Sequence, residues 1–254
     1  MAAADPRIRK RDRLKARAKR YVELPLKLRT ADLPRRAASA VVMLALVGVA
    51  IWQGGAVLQG FIALVALACF VEFVLLVLRA TRSGWGRMAA LFAGGAYIGL
   101  AAWGLAGLAI YHLVAVLGVV IFTDTCAYFA GRTIGGPKIA PSISPSKTWA
   151  GLAGGIVGSA LWLETYMAVF HNTGTEIALA DKFGLSGSEA LTWALIGAAL
   201  AIAAQSGDFF ESWLKRRAGK KDSSNLIPGH GGVFDRVDGL LPVAVVSGLL
   251  AAYA

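Results

Sequence analysis

Asp235 and Asp238 stand three residues apart in the segment Lys220 to Gly239, KKDSSNLIPGHGGVFDRVDG, of a 254-residue chain that is 57% hydrophobic. That spacing puts both carboxylates on one side of a helical turn, where they repel unless a cation sits close by. Hard divalent ions with oxygen ligands meet this need, Mg²⁺ above all where the partner carries phosphates. Bases in and just before the segment, Lys215, Arg216, Lys220, Lys221 and Arg236, suit phosphate oxygens through charge-assisted hydrogen bonds. Gly231 and Gly232 permit a tight turn and close backbone approach to a ligand. Acid, base and glycine at this density point to nucleotide or phosphate chemistry.

Two more blocks carry reactive residue types. In QSGDFFESWLKRR, Gln205 to Arg217, the residues Asp208, Glu211, Ser212 and Lys215 fall at offsets of 0, 3, 4 and 7, which places them on one helical face. An ordinary helix end, with Lys215, Arg216 and Arg217 reaching headgroups, explains the bases but not Asp208. In TDTCAYFAGRTIGGPKIAPSISPSKTW, Thr123 to Trp149, Asp124 precedes Arg132 by eight residues, or about two helical turns. Pairing with Arg132 and a functional role are both open for Asp124. Ser142, Ser144, Ser146 and Lys147 beyond it can donate to phosphate oxygens.

These blocks must be positioned by membrane helices. A mean hydropathy of +0.61 with 16% charged residues marks a polytopic membrane protein of all-α class. With about 20 apolar residues needed per span, seven segments emerge: 37–54, 56–78, 88–107, 109–130, 149–170, 189–207 and 239–254. Six to nine spans are allowed, because no linker separates the third from the fourth and the sequence also permits a break or re-entrant turn around Tyr111 and His112. Threading seven spans with the amino terminus in the cytoplasm puts 25 of the 26 Lys/Arg on the cytoplasmic side, with Lys182 alone outside; this is the positive-inside pattern. All three polar blocks then face the cytoplasm. In the fifth span, GLAGGIVG spaces Gly151 and Gly155, and Gly154 and Gly158, for close helix packing. The external loop HNTGTEIALADKFGLSGS shows no convergent chemistry.

The chain divides into a basic cytoplasmic tail, 1–36, and an integral membrane catalytic domain, 37–254. The tail holds 13 Lys/Arg against four acids and runs straight into an apolar span. Attraction to anionic headgroups explains it better than nucleic-acid binding. Cys69 and Cys126 lie in apolar runs without metal-ligand spacing and read as inert fillers.

The segment SWLKRRAGKKDSSNLIPGHGGVFDRVD, Ser212 to Asp238, resembles the signature of the phosphatidate cytidylyltransferases, or CDP-diacylglycerol synthases, at nearly every defined position. The likeness extends to SGDFFES, TDTCAYFAGR and SPSKTWAG, and Glu72 resembles a family glutamate; it covers most of Arg35 to Ala254. Thr123 and Ser146 depart from it, standing where Asn and a base are common. The resemblance implies that CTP and phosphatidate give CDP-diacylglycerol and pyrophosphate at the inner cell membrane. It implies Mg²⁺, with a second cation such as K⁺, held by Asp208 and Asp235 with Asp238 nearby. Lys215 joins these aspartates as a catalytic candidate, and His230 is read equally as catalytic or as a support of the Gly231 turn. Arg216, Lys221, Asp222, Arg236, Lys147, Ser144, Asp124 and Arg132 become the substrate-binding candidates. CTP, phosphatidate and membrane lipid are the expected partners, nucleic acid is not, and a homodimer is compatible with the Gly-rich fifth span. An ion-coupled transporter built on Glu72, Asp124 and Asp208 would call for internal repeats, which the sequence lacks. A polyprenol kinase or CDP-alcohol phosphotransferase fits the signature less well.

If the tail concentrates anionic lipid, deleting residues 2–30 raises the apparent KM for phosphatidate at low salt, with a smaller effect at high salt. Activity unchanged at every ionic strength would reduce the tail to an arm.

Overall fold

The computed structural model describes residues 33–170 and 189–253. Most of the basic tail (1–32) and of the external loop (171–188), with Lys182, lie outside the described residues. The chain runs α1 (Leu33–Gln53), α2 (Gly55–Ala80), α3 (Gly84–Gly107), α4 (Ile110–Thr133), β1 (Lys138–Ala140), β2 (Ser144–Thr148), α5 (Trp149–Phe170), α6 (Glu189–Arg217), α7 (Phe234–Val237) and α8 (Leu240–Tyr253). Six of these helices, α1 to α6, are long and apolar enough to cross a membrane. Helices are the expected solution because each backbone group is then paired within its own segment, where lipid offers no partner.

Two boundaries of the sequence reading hold and one differs. The apolar run around Tyr111 is two helices, not a re-entrant loop: Leu108 is extended (φ −74°, ψ 139°) and ends α3 before α4 begins at Ile110. Beyond the apolar span drawn to residue 207, the helix continues to Arg217, as the one-face spacing of its polar residues implies, and leaves the other face free to pack. The last segment forms only a 14-residue helix, short of the about 20 residues a full span needs. One antiparallel hairpin, β1 with β2, interrupts the all-helical architecture between α4 and α5.

Capping shows why the α2–α3 corner is sharp. The Ser83 hydroxyl accepts from the Gly86 amide at 3.3 Å, while Arg87 donates to the Thr81 carbonyl at 2.9 Å and the Leu78 carbonyl at 3.1 Å. A cation on the orphan carbonyls of a helix end satisfies them and complements the dipole.

Two packed clusters hold the bundle. In the first, Phe73, Leu76, Val77, Ile98, Leu214, Phe234 and Leu241 join α2, α3, α6, α7 and α8, with Phe73 and Phe234 edge to face at 6.2 Å. In the second, Val119, Leu163, Trp193, Leu200 and Val243 join α4, α5, α6 and α8. The α4–α5 contact uses the glycines as expected: a Cβ on Gly155 would stand 3.0 Å from the Thr123 carbonyl oxygen, and one on Gly154 would stand 2.9 Å from that of Cys126. Ser159 adds a hydrogen bond to the Gly197 carbonyl at 2.7 Å, tying α5 to α6.

Gly154→Leu therefore overpacks the α4–α5 seam and costs about 1–3 kcal/mol, seen as a lower thermal midpoint in detergent. Gly60→Leu is the control, since nothing lies within 4 Å of a Cβ there, and it leaves the midpoint unchanged.

Candidate active site

Glu72 organises the end of the bundle where the polar blocks meet. It is 3% exposed on the apolar helix α2, and its carboxylate accepts four hydrogen bonds from the segment between α6 and α8. Ser223 Oγ donates at 2.8 Å and Ser224 Oγ at 2.6 Å. The Val233 and Phe234 amides donate at 3.0 and 2.8 Å. A buried carboxylate is tolerable only when so satisfied, and these bonds fold the segment onto α2.

Within that segment Pro228 to Gly232 forms a tight turn. Gly229 and Gly231 have positive φ of 80° and 87°, and the Ile227 amide donates to the Gly231 carbonyl at 2.8 Å. Gly232 is required for a different reason: a Cβ there would collide with Glu72 and with Ser223 Oγ. His230 supports the turn. Its Nδ1 is 2.7 Å from Ser39 Oγ on α1, and its carbonyl accepts from Arg236 Nε and Nη2 at 3.1 and 2.7 Å. Much of the Arg236 fork is thus spent on the backbone of the turn.

Asp235, at the start of α7, is surrounded by donors. Lys215 Nζ reaches Oδ1 at 2.7 Å; the Ser223 amide and hydroxyl reach Oδ2 at 2.9 Å each, and the Gly232 amide does so at 2.7 Å. Burial alone would raise this carboxyl, but its contacts with Glu211, Lys215 and the two amides outweigh burial and hold it well below the usual carboxylate range. Lys215 also bridges to Glu211 at 2.5 Å. Glu211 is buried, and its other oxygen, Oε1, has no hydrogen-bond partner.

Asp208 faces a second cluster. Lys147, on β2, forms an ion pair with Asp208 and donates to Gln205 Oε1 at 3.2 Å. Arg216 Nε donates to the Ile143 carbonyl at 3.3 Å, so α6 holds the hairpin at two points. A cleft of about 430 Å³ opens here, lined by Asp124, Arg132, Lys138, Ser146, Lys147 and Asp208 among others. Arg132 does not pair with Asp124; it donates to the Tyr128 hydroxyl at 3.1 Å. Ser144 is buried at the base of the hairpin, whereas Lys221 and Asp222 are exposed outside the Asp235 cage.

Asp238 lies between the two clusters. Burial pushes its carboxyl up to about 7, and the charge of Asp208 adds to the rise, against opposing contacts from the Gly239 amide, Glu211 and Lys215. Glycine makes this proximity feasible. At Gly207 there is no room for a Cβ against the Asp238 carbonyl, and a Cβ on Gly239 would stand 3.1 Å from Asp208 Oδ1.

The site thus gathers Asp208, Glu211, Asp235 and Asp238 with Lys147 and Lys215. Oxygen-only donors, more carboxylates than bonded ammonium groups, and an unpartnered Glu211 oxygen fit a hard divalent cation. Among the described residues no three acidic, His or Cys side chains form a ready ligand set. Mg²⁺ takes one or two carboxylates and completes its shell with water and phosphate oxygens. Sequence reasoning left two residues out of the site. Glu72 carried a signal as an acid in an apolar run, and Glu211 shared the face of Asp208 and Lys215.

Residues 90–254 match the Cytidylyltransferase family. A Brucella suis protein named phosphatidate cytidylyltransferase is 41% identical over 143 residues, 55% of this chain and 46% of that protein. Similarly named proteins of Rickettsia bellii and Pseudomonas aeruginosa are 38% identical over 131 residues and 37% identical over 196. The first match covers 50% of this chain and 52% of its relative; the second covers 72% and 66%. The chain spans about half the length of the first of these relatives.

Replacing Glu72 by Leu removes the acceptor of Ser224 Oγ and of the Val233 and Phe234 amides at once, while Ser223 Oγ keeps Asp235. With about 1–3 kcal/mol for each buried group left unsatisfied, partly relieved by water, Glu72→Leu costs at least about 3 kcal/mol. Trypsin then cleaves at Lys220, Lys221 or Arg236 faster than in the wild type, while Glu72→Gln, which keeps an acceptor, stays closer to it. Equal digestion of all three proteins would remove the clasp.

Proposed function

Because the chain belongs to the Cytidylyltransferase family, we propose that it transfers CMP from CTP to phosphatidate, releasing pyrophosphate and forming CDP-diacylglycerol. The observation that carries this reading is the meeting of Asp208 with Lys147 in a basic cleft, directly beside the Glu72-clasped turn that presents Asp235 and Asp238. A phosphoryl-transfer site needs a place for polyphosphate charge and a place for the cation that accompanies it, and little covalent work from the protein.

In this reading a phosphatidate phosphate oxygen forms a bond to the α-phosphorus of CTP, and the bond from that phosphorus to the β-phosphate oxygen breaks. The leaving pyrophosphate takes the electron pair. Lys147, Lys138 and Arg132 line the cleft and hold the triphosphate by charge-assisted hydrogen bonds. Asp208 and Asp235, with Asp238 nearby, would hold Mg²⁺, which when bound would supply neutralisation of charge on the reacting phosphates. Lys215 holds the Asp235 carboxylate in place and limits repulsion between it and Glu211. His230 and Arg236 keep the turn rigid, and Arg216 fixes the hairpin that carries Lys147. Lys221, Asp222 and Ser144 complete the assignment at the rim and base, and Asp124 lies across the cleft.

The membrane orientation belongs to the same proposal. The carboxyl ends of α2, α4 and α6, the hairpin and the turn all lie at one end of the bundle by connectivity. The distribution of Lys/Arg supports placing that end in the cytoplasm, where CTP is.

Purified protein with Mg²⁺, labelled CTP and phosphatidate should yield a lipid-soluble cytidine product. Asp208→Asn and Asp235→Asn each lower kcat/KM by about 100-fold or more, the scale of losing one preorganised electrostatic group. No product from the wild type, or wild-type rates in both variants, would overturn the assignment.

A further inference from the structure

Two elements that hold the Pro228–Gly232 turn lie outside the residues matched to the family, which begin at residue 90. One is α2, through Glu72. The other is α1, whose first turns meet Pro228, Gly229 and His230. Ser39 Oγ lies 2.7 Å from His230 Nδ1, 3.1 Å from the Pro228 carbonyl oxygen and 3.0 Å from that of Arg36 in its own helix. The stem of Arg36 closes the same contact, since a Cβ on Gly229, already at φ 80°, would stand 2.9 Å from Arg36 Cγ. Elsewhere α1 is loosely seated. Among its described side chains Ala50 alone is buried, and Val41, Val42, Leu44 and Leu46 are open, so little packing competes with its contact to the turn.

Proton bookkeeping at Ser39 fixes the state of the histidine ring. The hydroxyl has one proton, and the two carbonyls can only accept it. If that proton goes to a carbonyl, the 2.7 Å contact requires His230 to donate from Nδ1, and two hydrogen bonds form. If it goes to Nδ1 instead, both carbonyls lose it and one bond is forfeited. The first arrangement wins, and it leaves the ring protonated on Nδ1 with its lone pair on Nε2. From the ring the hold passes along the backbone. The His230 amide donates to the Ile227 carbonyl at 3.0 Å, the Ile227 amide donates to the Gly231 carbonyl at 2.8 Å, and the Gly232 amide donates to Asp235 Oδ2 at 2.7 Å. The turn is thus pinned to α1 at one side and to a site carboxylate at the other.

We propose that Ser39 is a positioning residue: it locks His230 in the Nδ1–H tautomer and so holds the turn in the register that aims the Gly232 amide at Asp235. Its effect on rate rests on the cytidylyl-transfer reading, whereas its effect on the ring does not. The CTP phosphates belong to the Lys147 side of the site in that reading. A loosened turn therefore slows the chemical step without weakening CTP binding.

The test uses the full chain, labelled with ¹⁵N-histidine, in phosphatidylcholine nanodiscs at a pH where the rings are neutral. The chain has three histidines, and His230→Asn assigns the His230 signals by their loss. The wild type should show His230 protonated at Nδ1. Ser39→Ala moves the proton to Nε2, whereas Ser39→Thr, which keeps the hydroxyl, leaves it on Nδ1. In parallel, Ser39→Ala lowers kcat per folded molecule about tenfold, the scale of losing an outer contact that orients a ligand, with KM for CTP unchanged. Ser39→Thr restores most of that rate. His230→Asn, whose amide nitrogen can donate from the place of Nδ1, keeps more activity than His230→Gln, whose amide nitrogen falls near the place of Nε2. A wild-type ring protonated at Nε2, or a ring unmoved by Ser39→Ala, overturns the proposal. So does a Ser39→Ala protein that melts earlier but keeps its kcat per folded molecule, or an equal loss in His230→Asn and His230→Gln. The nitrogen spectrum is taken without substrate, so a chain inactive in cytidylyl transfer would still reveal the tautomer, and the two readings fail separately.

Discussion

A carboxylate buried in an apolar helix is the constraint on which the polar end of this protein depends. Glu72 sits where lipid and packed side chains would otherwise surround it, and an unpaired charge there would cost several kcal/mol. Four donors from one connecting segment remove that penalty. The segment is thereby held against α2, although its own regular structure amounts to a tight turn and the four-residue helix α7. Gly232 follows from the same interaction, because a side chain there would occupy the space of the carboxylate.

Once the segment is clasped, the remaining charges have little freedom. The single hydroxyl hydrogen of Ser223 is shared between Glu72 and Asp235 while its amide serves Asp235, so moving either acid disturbs the other. Lys215 then spans Asp235 and Glu211 and stitches the turn to α6. Hydrogen bonds linked in this way support one another in a low-dielectric setting, where a half-satisfied network would be worse than none. The unpartnered Glu211 oxygen and the burial of Asp238 beside the charge of Asp208 mark where acids crowd without enough cations to match them, which is the physical basis of the proposed cation site.

Helix α6 joins the two environments this protein must connect. One face carries Asp208 and Lys215 among ions, and the other carries Trp213 and Phe210, which meets Tyr97 of α3 edge to face. Its unbroken course to Arg217 makes this division possible, since a helix ending near residue 207 would leave Asp208 on a loop without a fixed direction. The Lys147 and Arg216 contacts then bring the hairpin against the ionic face, so the basic cleft is formed by elements far apart in the chain.

Much of this was legible in the residues. The apolar runs, their lengths and the lopsided distribution of Lys/Arg identify a multi-pass membrane protein, because a bilayer imposes a length and a charge asymmetry on each segment separately. The three polar blocks and the glycine spacing of α5 were legible for the same reason: each is a local pattern with a local physical cause. Pairing was not. Glu72 meets Ser223 across 151 residues and Lys147 meets Asp208 across 61, and no periodicity encodes such partners. Gly207 is a point of close approach for the Asp238 carbonyl, which nothing in its local sequence shows. Arg236, which reads as a phosphate ligand, and His230, which reads equally as catalytic or as a support of the Gly231 turn, make contacts within the turn and with α1. Residue types and local spacing determined that acids, bases and glycines would collect at one end of a membrane bundle. Tertiary structure alone decided which acid faces which cation, because burial and hydrogen-bond satisfaction depend on neighbours that only the folded chain brings together.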